Sequence, residues 1–272
     1  MKVRIRMIFL TLVFSTFREA FAKKIFLGFF VISTLIILLE LFAVNVESVE
    51  GIMNMLDEEG VKQAVISAEI EILNISYFLI ITFCLISVSS FIPSMLEKGN
   101  IDLLLSKPVS RSKIIIAKFT GSVLLIFISL VYLIGFVWLI LSIKSGYWHF
   151  PFLLSIFWLT LSFAVVFSFT LLVGLISQSS ILSVLLSIFL LIVTKILSIR
   201  EVAIFSFVEN EPVRFIINFF YYILPKPSDI NSIAENIIKQ LPVESYMPVI
   251  SSVLFMLAAL SVSIIYFKKK DY

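Results

Sequence analysis

Six blocks of apolar sequence, each about 20 residues or longer, leave this chain one solvent to fold in. They run from about Ile25 to Val46, Ile72 to Ile92, Ile114 to Ile143, Phe152 to Ile176, Ile181 to Ile199 and Val249 to Phe267, with at most one charged residue in each. At about 1.5 Å per residue, each block is long enough to cross about 30 Å of hydrocarbon as a helix. Within lipid every backbone N–H and C=O must be satisfied inside the segment, which selects the helix over an open strand. Composition agrees. Apolar residues make up 60% of the 272 and charged residues 14%, against roughly 45–50% and about 25% in soluble domains. The sequence therefore predicts an all-α integral membrane protein of about six transmembrane helices, organised as a single membrane domain over 1–272.

Charge sets the orientation. Residues 1–24, 93–118 and 268–272 hold 14 of the 21 Lys and Arg, and six spans place all three segments on one side. The positive-inside tendency makes that side cytoplasmic and puts both termini there. The opposite side agrees, since residues 47–71 carry seven acids against the lone Lys62. Ahead of the first block, Leu10, Val13, Phe14, Phe17 and Phe21 recur at helical spacing among basic residues, which predicts an amphipathic helix on the membrane surface. A cleaved leader is the competing reading, but Arg18 and Glu19 stand where a cleavage region is small and neutral. The segment 200–248 is the largest outer stretch. Its Ile230, Ile233, Ile237, Ile238 and Leu241 mark one face of a short helix that Ser228 can cap, expected in the outer interface. Arg214 to Leu224 is too short to span, and Tyr221 and Tyr222 suit the headgroup level.

Several chemistries are excluded by what is missing. No Gly-Lys dipeptide occurs, so the Gly-rich phosphate cradle that ends in Gly-Lys-Ser/Thr is absent and any ATP with its Mg must be bound by a partner. One histidine, His149, and one cysteine, Cys84, allow no His-x-x-x-His, Cys-His or disulfide framework. No metal site and no catalytic residue are assigned, and His149 beside Trp148 is expected at the outer interface. The basic residues flank apolar blocks, as topology signals do, so nucleic-acid binding is discarded. Asn74-Ile75-Ser76 matches a glycosylation sequon but lies almost at the membrane surface and is set aside.

The segment between the second and third blocks, PSMLEKGNIDLLLSKPVSRSKIIIAK from Pro93 to Lys118, carries the most information. Ser94 and Glu97 have capping-box spacing for a helix start, and Gly99 permits a left-handed helix end. Pro108 forces Lys107 out of helical geometry, and Ser110 can cap a new helix that runs into the third span. Leucines on a shaped loop with a charged rim suit either a docking surface or a helix on anionic headgroups. In the pattern Glu97, Gly99, Leu103, Leu104, Leu105, Pro108, Ser110, Arg111 and Lys118 the segment resembles ABC-2 type transporter permeases, particularly the branch described as multicopper-enzyme maturation permeases. That resemblance implies a cytoplasmic coupling helix seated in a groove of a separate ABC ATPase. It further implies two copies of that ATPase, a second permease subunit (identical or a paralogue), and a multi-pass protein of a prokaryotic cytoplasmic membrane that moves cargo, in the export direction, across the bilayer. Glu97, Leu103, Leu104, Leu105 and Arg111 would form the docking set, with Gly99 and Pro108 shaping the loop.

Besides Lys118 at the cytoplasmic end of the third block, two charges fall inside the apolar blocks, Glu40 and Lys195. An intramembrane charge is a functional candidate by default, and these two could pair or each snorkel to the outer interface. The near absence of deeper charge argues against an ion channel or proton-coupled carrier. Two other readings fit the layout: a membrane anchor for a soluble assembly factor, which needs the loop but no pathway, and a secondary carrier, which needs Glu40 or Lys195 but no ATPase.

Overall fold

The computed structural model describes residues 2–44, 57–97, 99–101 and 110–270. Among them the chain is helical throughout: α1 (Lys2–Ala22), α2 (Ile25–Val44), α3 (Glu58–Ser89), α4 (Phe91–Leu96), α5 (Arg111–Ser145), α6 (Ser155–Ser177), α7 (Ser180–Ser198), α8 (Glu211–Ile223), α9 (Pro227–Ile238) and α10 (Met247–Lys269). Five continuous helical runs among the described residues are long and apolar enough to cross a bilayer. They are Glu58–Leu96, Arg111–Ser145, Phe150–Ser177, Ser180–Ser198 and Met247–Lys269. α1 and α2 pass the same test only as a pair, bent by 69° at the junction, where Lys24 takes a left-handed φ of 55°. The bend lays α1 across α5 rather than alongside α2. Leu12, Val13, Thr16 and Ala20 face inward, while Leu10, Phe14 and Phe21 face out. One face on protein and one on lipid is the arrangement of an interfacial helix.

The second span departs from expectation. The sequence places its start near Ile72 and treats 47–71 as an acidic loop, yet helix runs from Glu58. The side chain of Asp57 accepts from the Gly60 N–H at 2.9 Å, and Glu58 and Glu59 occupy the first turn. A capping carboxylate and two acids facing the positive helix end contribute about 1 kcal/mol or more and start the helix early. Glu58–Leu96 is 39 residues, about 58 Å at helical rise, so its first half overhangs a bilayer of about 30 Å.

α6 is the central element and packs on α3, α4, α5, α7, α9 and α10. Its Ser162, Ala164, Ser168, Thr170 and Gly174 are small, and the three hydroxyl-bearing ones and Gly174 are fully buried; small residues let neighbouring backbones approach where lipid supplies no hydrophobic drive. Thr170 and Ser187 bond across the α6–α7 seam at 2.7 Å. The hairpin between them is as short as expected: Gln178 adopts φ 56°, and the Ser179 hydroxyl accepts from the Leu182 N–H.

The outer segment folds into two unlike helices. α8 has no buried residue and exposes Phe215, Ile216, Phe219, Phe220 and Ile223, a surface that suits the bilayer interface. α9 was expected there too, but it is an inserted element. Ile230, Ile233, Ala234 and Ile238 are buried against α3, α6 and α7, while Leu241 is exposed. The helix begins at Pro227, after Lys226, so Ser228 is inside it rather than capping it. Proline at the first position, with φ preset and no N–H to satisfy, sets the start.

Candidate coupling site

At the end of the bundle where basic residues gather, α1, α4, α5 and α10 are tied by one polar cluster and one cap. Glu19, on the last turns of α1, is the centre. Its carboxylate accepts from Lys118 Nζ of α5 at 2.5 Å, from Lys23 Nζ at 2.9 Å and from the Ser94 hydroxyl of α4 at 2.7 Å. Lys23 also donates to Ser94 Oγ at 2.9 Å. Both ammonium groups lie against the Phe91 ring, 5.6 and 5.8 Å from its centroid, within cation–π range. Burial by itself raises the Glu19 carboxyl pKa. The Lys118 charge and the hydrogen bonds from Lys118, Lys23 and Ser94 outweigh it, so the net shift is below the ordinary carboxylate range.

The seam beside this cluster is tight. A Cβ on Gly121 of α5 would stand 2.9 Å from Thr16 Cβ and Oγ1 of α1, so α1 can lie this close only over a glycine. On the other flank, Arg111 Nη1 donates to the carbonyls of Phe267 at 3.2 Å and Lys270 at 2.5 Å, and its guanidinium faces the buried Phe267 ring at 6.0 Å. The last carbonyls of a helix lack partners and carry partial negative charge, so an arginine there satisfies both. The first turn of α5 is thereby fastened to the last turn of α10.

The sequence-proposed docking residues divide accordingly. Glu97 is exposed and ends α4, with its carbonyl accepting from the N–H groups of Asn100 and Ile101 at 3.1 and 3.2 Å. Gly99 is exposed with φ 91°, the left-handed conformation its identity suggested. Ser110 is exposed at the N-cap of α5, though its hydroxyl makes no capping bond. Leu103, Leu104, Leu105 and Pro108 lie outside the described residues.

One expectation is corrected. Ser94 and Glu97 do not form a capping box. The short helix starts at Phe91, and Ser94 sits inside it because its hydroxyl is engaged by Glu19, 75 residues away. Lys118, part of the coupling-loop pattern, lies two turns into α5, where it is buried and paired with Glu19. Arg111 is half-buried and holds α10. Sequence reading missed Glu19, Lys23 and Ser94 as members of this site. The one available signal was Glu19 as the sole acid among the basic residues of 1–24.

At the opposite end His149 is buried rather than interfacial. Its Nδ1 is 2.5 Å from Glu69 Oε2 of α3, its Nε2 is 3.3 Å from Gln240 Nε2, and its ring stacks on Tyr147. The arrangement fits Nδ1–H donating to the carboxylate and Nε2 accepting from the amide. Burial, then the nearby Lys62 charge, lowers the imidazole pKa. Among the described residues no three His, Cys, Asp or Glu gather as a metal site. Lys195 makes no salt bridge with a described residue, and the side chain of Glu40 lies outside the described ones.

Apolar helices of spanning length, tied to one another at the basic end through Glu19, Lys118 and Arg111, define a multi-pass membrane protein. The chain belongs to the ABC-2 family of transporter proteins, whose family model matches residues 10–272, from α1 through α10. It is accordingly a membrane permease subunit of an ABC transporter. A search of curated proteins finds no match.

Proposed function

We propose that this permease subunit is driven by a separate cytoplasmic ABC ATPase that docks on residues 94–111. Two ATPase copies, which bind the ATP and Mg, act on two permease subunits in a prokaryotic cytoplasmic membrane, and the cargo pathway forms between the permeases and runs outward. The observation that supports this reading is the bracing of both ends of the loop. Its α4 end is fixed through Ser94 to Glu19 and Lys23. Its α5 end is fixed through Lys118 to α1 and through Arg111 to α10. A load applied between Glu97 and Ser110 is passed to α1, α3, α5 and α10 together, which is the two-state, rigid-body coupling that alternating access requires. A loop that only rested on lipid would need no such ties.

Glu97 and the leucines, unlike Arg111 and Lys118, can be changed without disturbing a described contact that holds the bundle. Co-expressed with its ATPase and purified through a tag on that ATPase, wild type should be recovered. Glu97→Arg and the double change Leu103→Ser/Leu104→Ser should lower recovery at least about tenfold, roughly 1.4 kcal/mol of association energy, with membrane insertion unchanged. Undiminished recovery of both variants, with normal ATP hydrolysis, would remove the loop from the docking surface.

A further inference from the structure

Away from the basic end, α3, α7 and α9 enclose a cavity of about 510 Å³ lined in part by Asn74, Tyr77, Lys195, Ser228, Asn231 and Glu235. Its polar groups are not all satisfied by the protein. Asn231 is 6% exposed. Its Nδ2 donates to Asn74 Oδ1 at 3.1 Å and to Glu235 Oε1 at 3.3 Å, while its buried Oδ1 accepts nothing. A buried acceptor without a donor is costly enough that most are paired in native proteins. Lys195, on the facing wall, makes no salt bridge with a described residue, and among the described residues the counterion of Glu235 is Lys239 at 3.7 Å. Among the described residues, the cavity therefore presents on α7 the unpaired ammonium of Lys195 and on α9 the carboxylate of Glu235, with the inaccessible Asn231 Oδ1 packed behind it.

Its position narrows the ligand. Lys195 is within one turn of the end of α7, at the membrane boundary opposite the coupling site. The same helix exposes Phe189, Ile192 and Ile196 to lipid, and Phe78 and Leu191 line the cavity below the polar groups. The volume suits a small polar group, within the roughly 300–1,000 Å³ of ligand pockets, and not a whole diacyl lipid. A head in the cavity with its chains on the exposed face of α7 uses both surfaces.

We propose that this cavity binds the headgroup of a zwitterionic aminophospholipid from the adjacent leaflet, with its phosphate on Lys195 and its ammonium on Glu235. The pairing is specific in sign. An anionic head without an ammonium would satisfy Lys195 but bring uncompensated negative charge toward Glu235. The site does not depend on which ATPase drives the subunit.

Dihexanoylphosphatidylethanolamine, dihexanoylphosphatidylglycerol and free phosphoethanolamine would each be titrated into the purified full-length protein, with binding followed by calorimetry. Wild type should bind the ethanolamine lipid at least about tenfold more tightly than the glycerol lipid, and free phosphoethanolamine more weakly than the ethanolamine lipid. Lys195→Met should weaken both lipids. Glu235→Gln, a near-isosteric change whose fold is checked by its unfolding temperature, should abolish the preference between them. Equal binding of the two lipids to wild type, or unchanged binding in both variants, would overturn the proposal. Free phosphoethanolamine binding as tightly as the lipid would also overturn it, by assigning the cavity to a soluble ligand.

Discussion

Glu19→Leu should lower the stability of the detergent-solubilised protein by about 3 kcal/mol, because it strands a buried cation rather than because it removes a favourable contact. Lys118 is buried, and among the described residues its ion-pair partner is Glu19. Removing one member of a buried pair costs about 3–5 kcal/mol, mostly the desolvation of the charge left behind. The lower figure applies because the Glu19 side chain keeps 21% exposure and water can reach it. Lys23 is less affected, being 32% exposed. The double variant Glu19→Leu/Lys118→Met removes both charges and should recover most of the loss, since an apolar pair of similar volume is often neutral in place of a buried ion pair. Acid should act in the same direction. The Glu19 pKa is depressed in the fold, so its contribution is complete above the ordinary carboxyl pKa of 4.5 and is lost as pH falls through the folded value. Thermal unfolding of wild type and both variants reads all of this. A neutral Glu19→Leu would mean that the cluster does not hold α1 and α4 to α5.

Gly121→Val should separate α1 from α5 and cost about 2–3 kcal/mol. Even a Cβ at this position stands 2.9 Å from Thr16 Cβ and Oγ1 and 3.3 Å from the Val13 carbonyl oxygen. One obstacle is backbone, and Thr16 is fully buried, so neither can simply turn away. Gly121→Ala should show the same effect in smaller measure. The exchange Thr16→Gly/Gly121→Ala moves the side chain to the other side of the seam and should return about half the loss. The rest stays lost because the buried Thr16 side chain, with its hydroxyl bond to the Leu12 carbonyl, is removed and alanine refills only part of its volume. Unfolding midpoints check the series, and a Gly121→Ala variant as stable as wild type would contradict the close packing.

What could be read in advance follows from how far apart the interacting residues lie. Spans declare themselves through composition, so α5, α6, α7 and α10 begin and end within a few residues of the apolar blocks. The early start of α3 was hidden because its first half is acidic and overhangs the bilayer, and only the Asp57 cap marked it. Local backbone signals also carried: Gly99 is left-handed, and the serine-rich turn at 177–180 is a tight hairpin. Side chains that pair across long separations did not. Glu19 meets Lys118 and Ser94 across 99 and 75 residues, Glu69 meets His149 across 80, and Arg111 reaches the carbonyls of α10 across more than 150. Each residue read alone had a plausible solvent-facing role, and in the fold each is spent on holding helices together. The exposed remainder of the loop, Glu97, Gly99 and Ser110, is where a role toward a partner is still open.

One cross-linking measurement tests the coupling account most directly. In a Cys84→Ala background, which removes the single native thiol, a cysteine is placed either at Glu97 or at Lys239, both exposed and at opposite ends of the bundle. Each is loaded with a photoactivatable thiol reagent in membranes that also contain the partner ATPase. Cross-linking to the ATPase from position 97 and none from position 239 is the result the account predicts. No product at 97, or an equal product at 239, would contradict both the docking loop and the orientation derived from the charges.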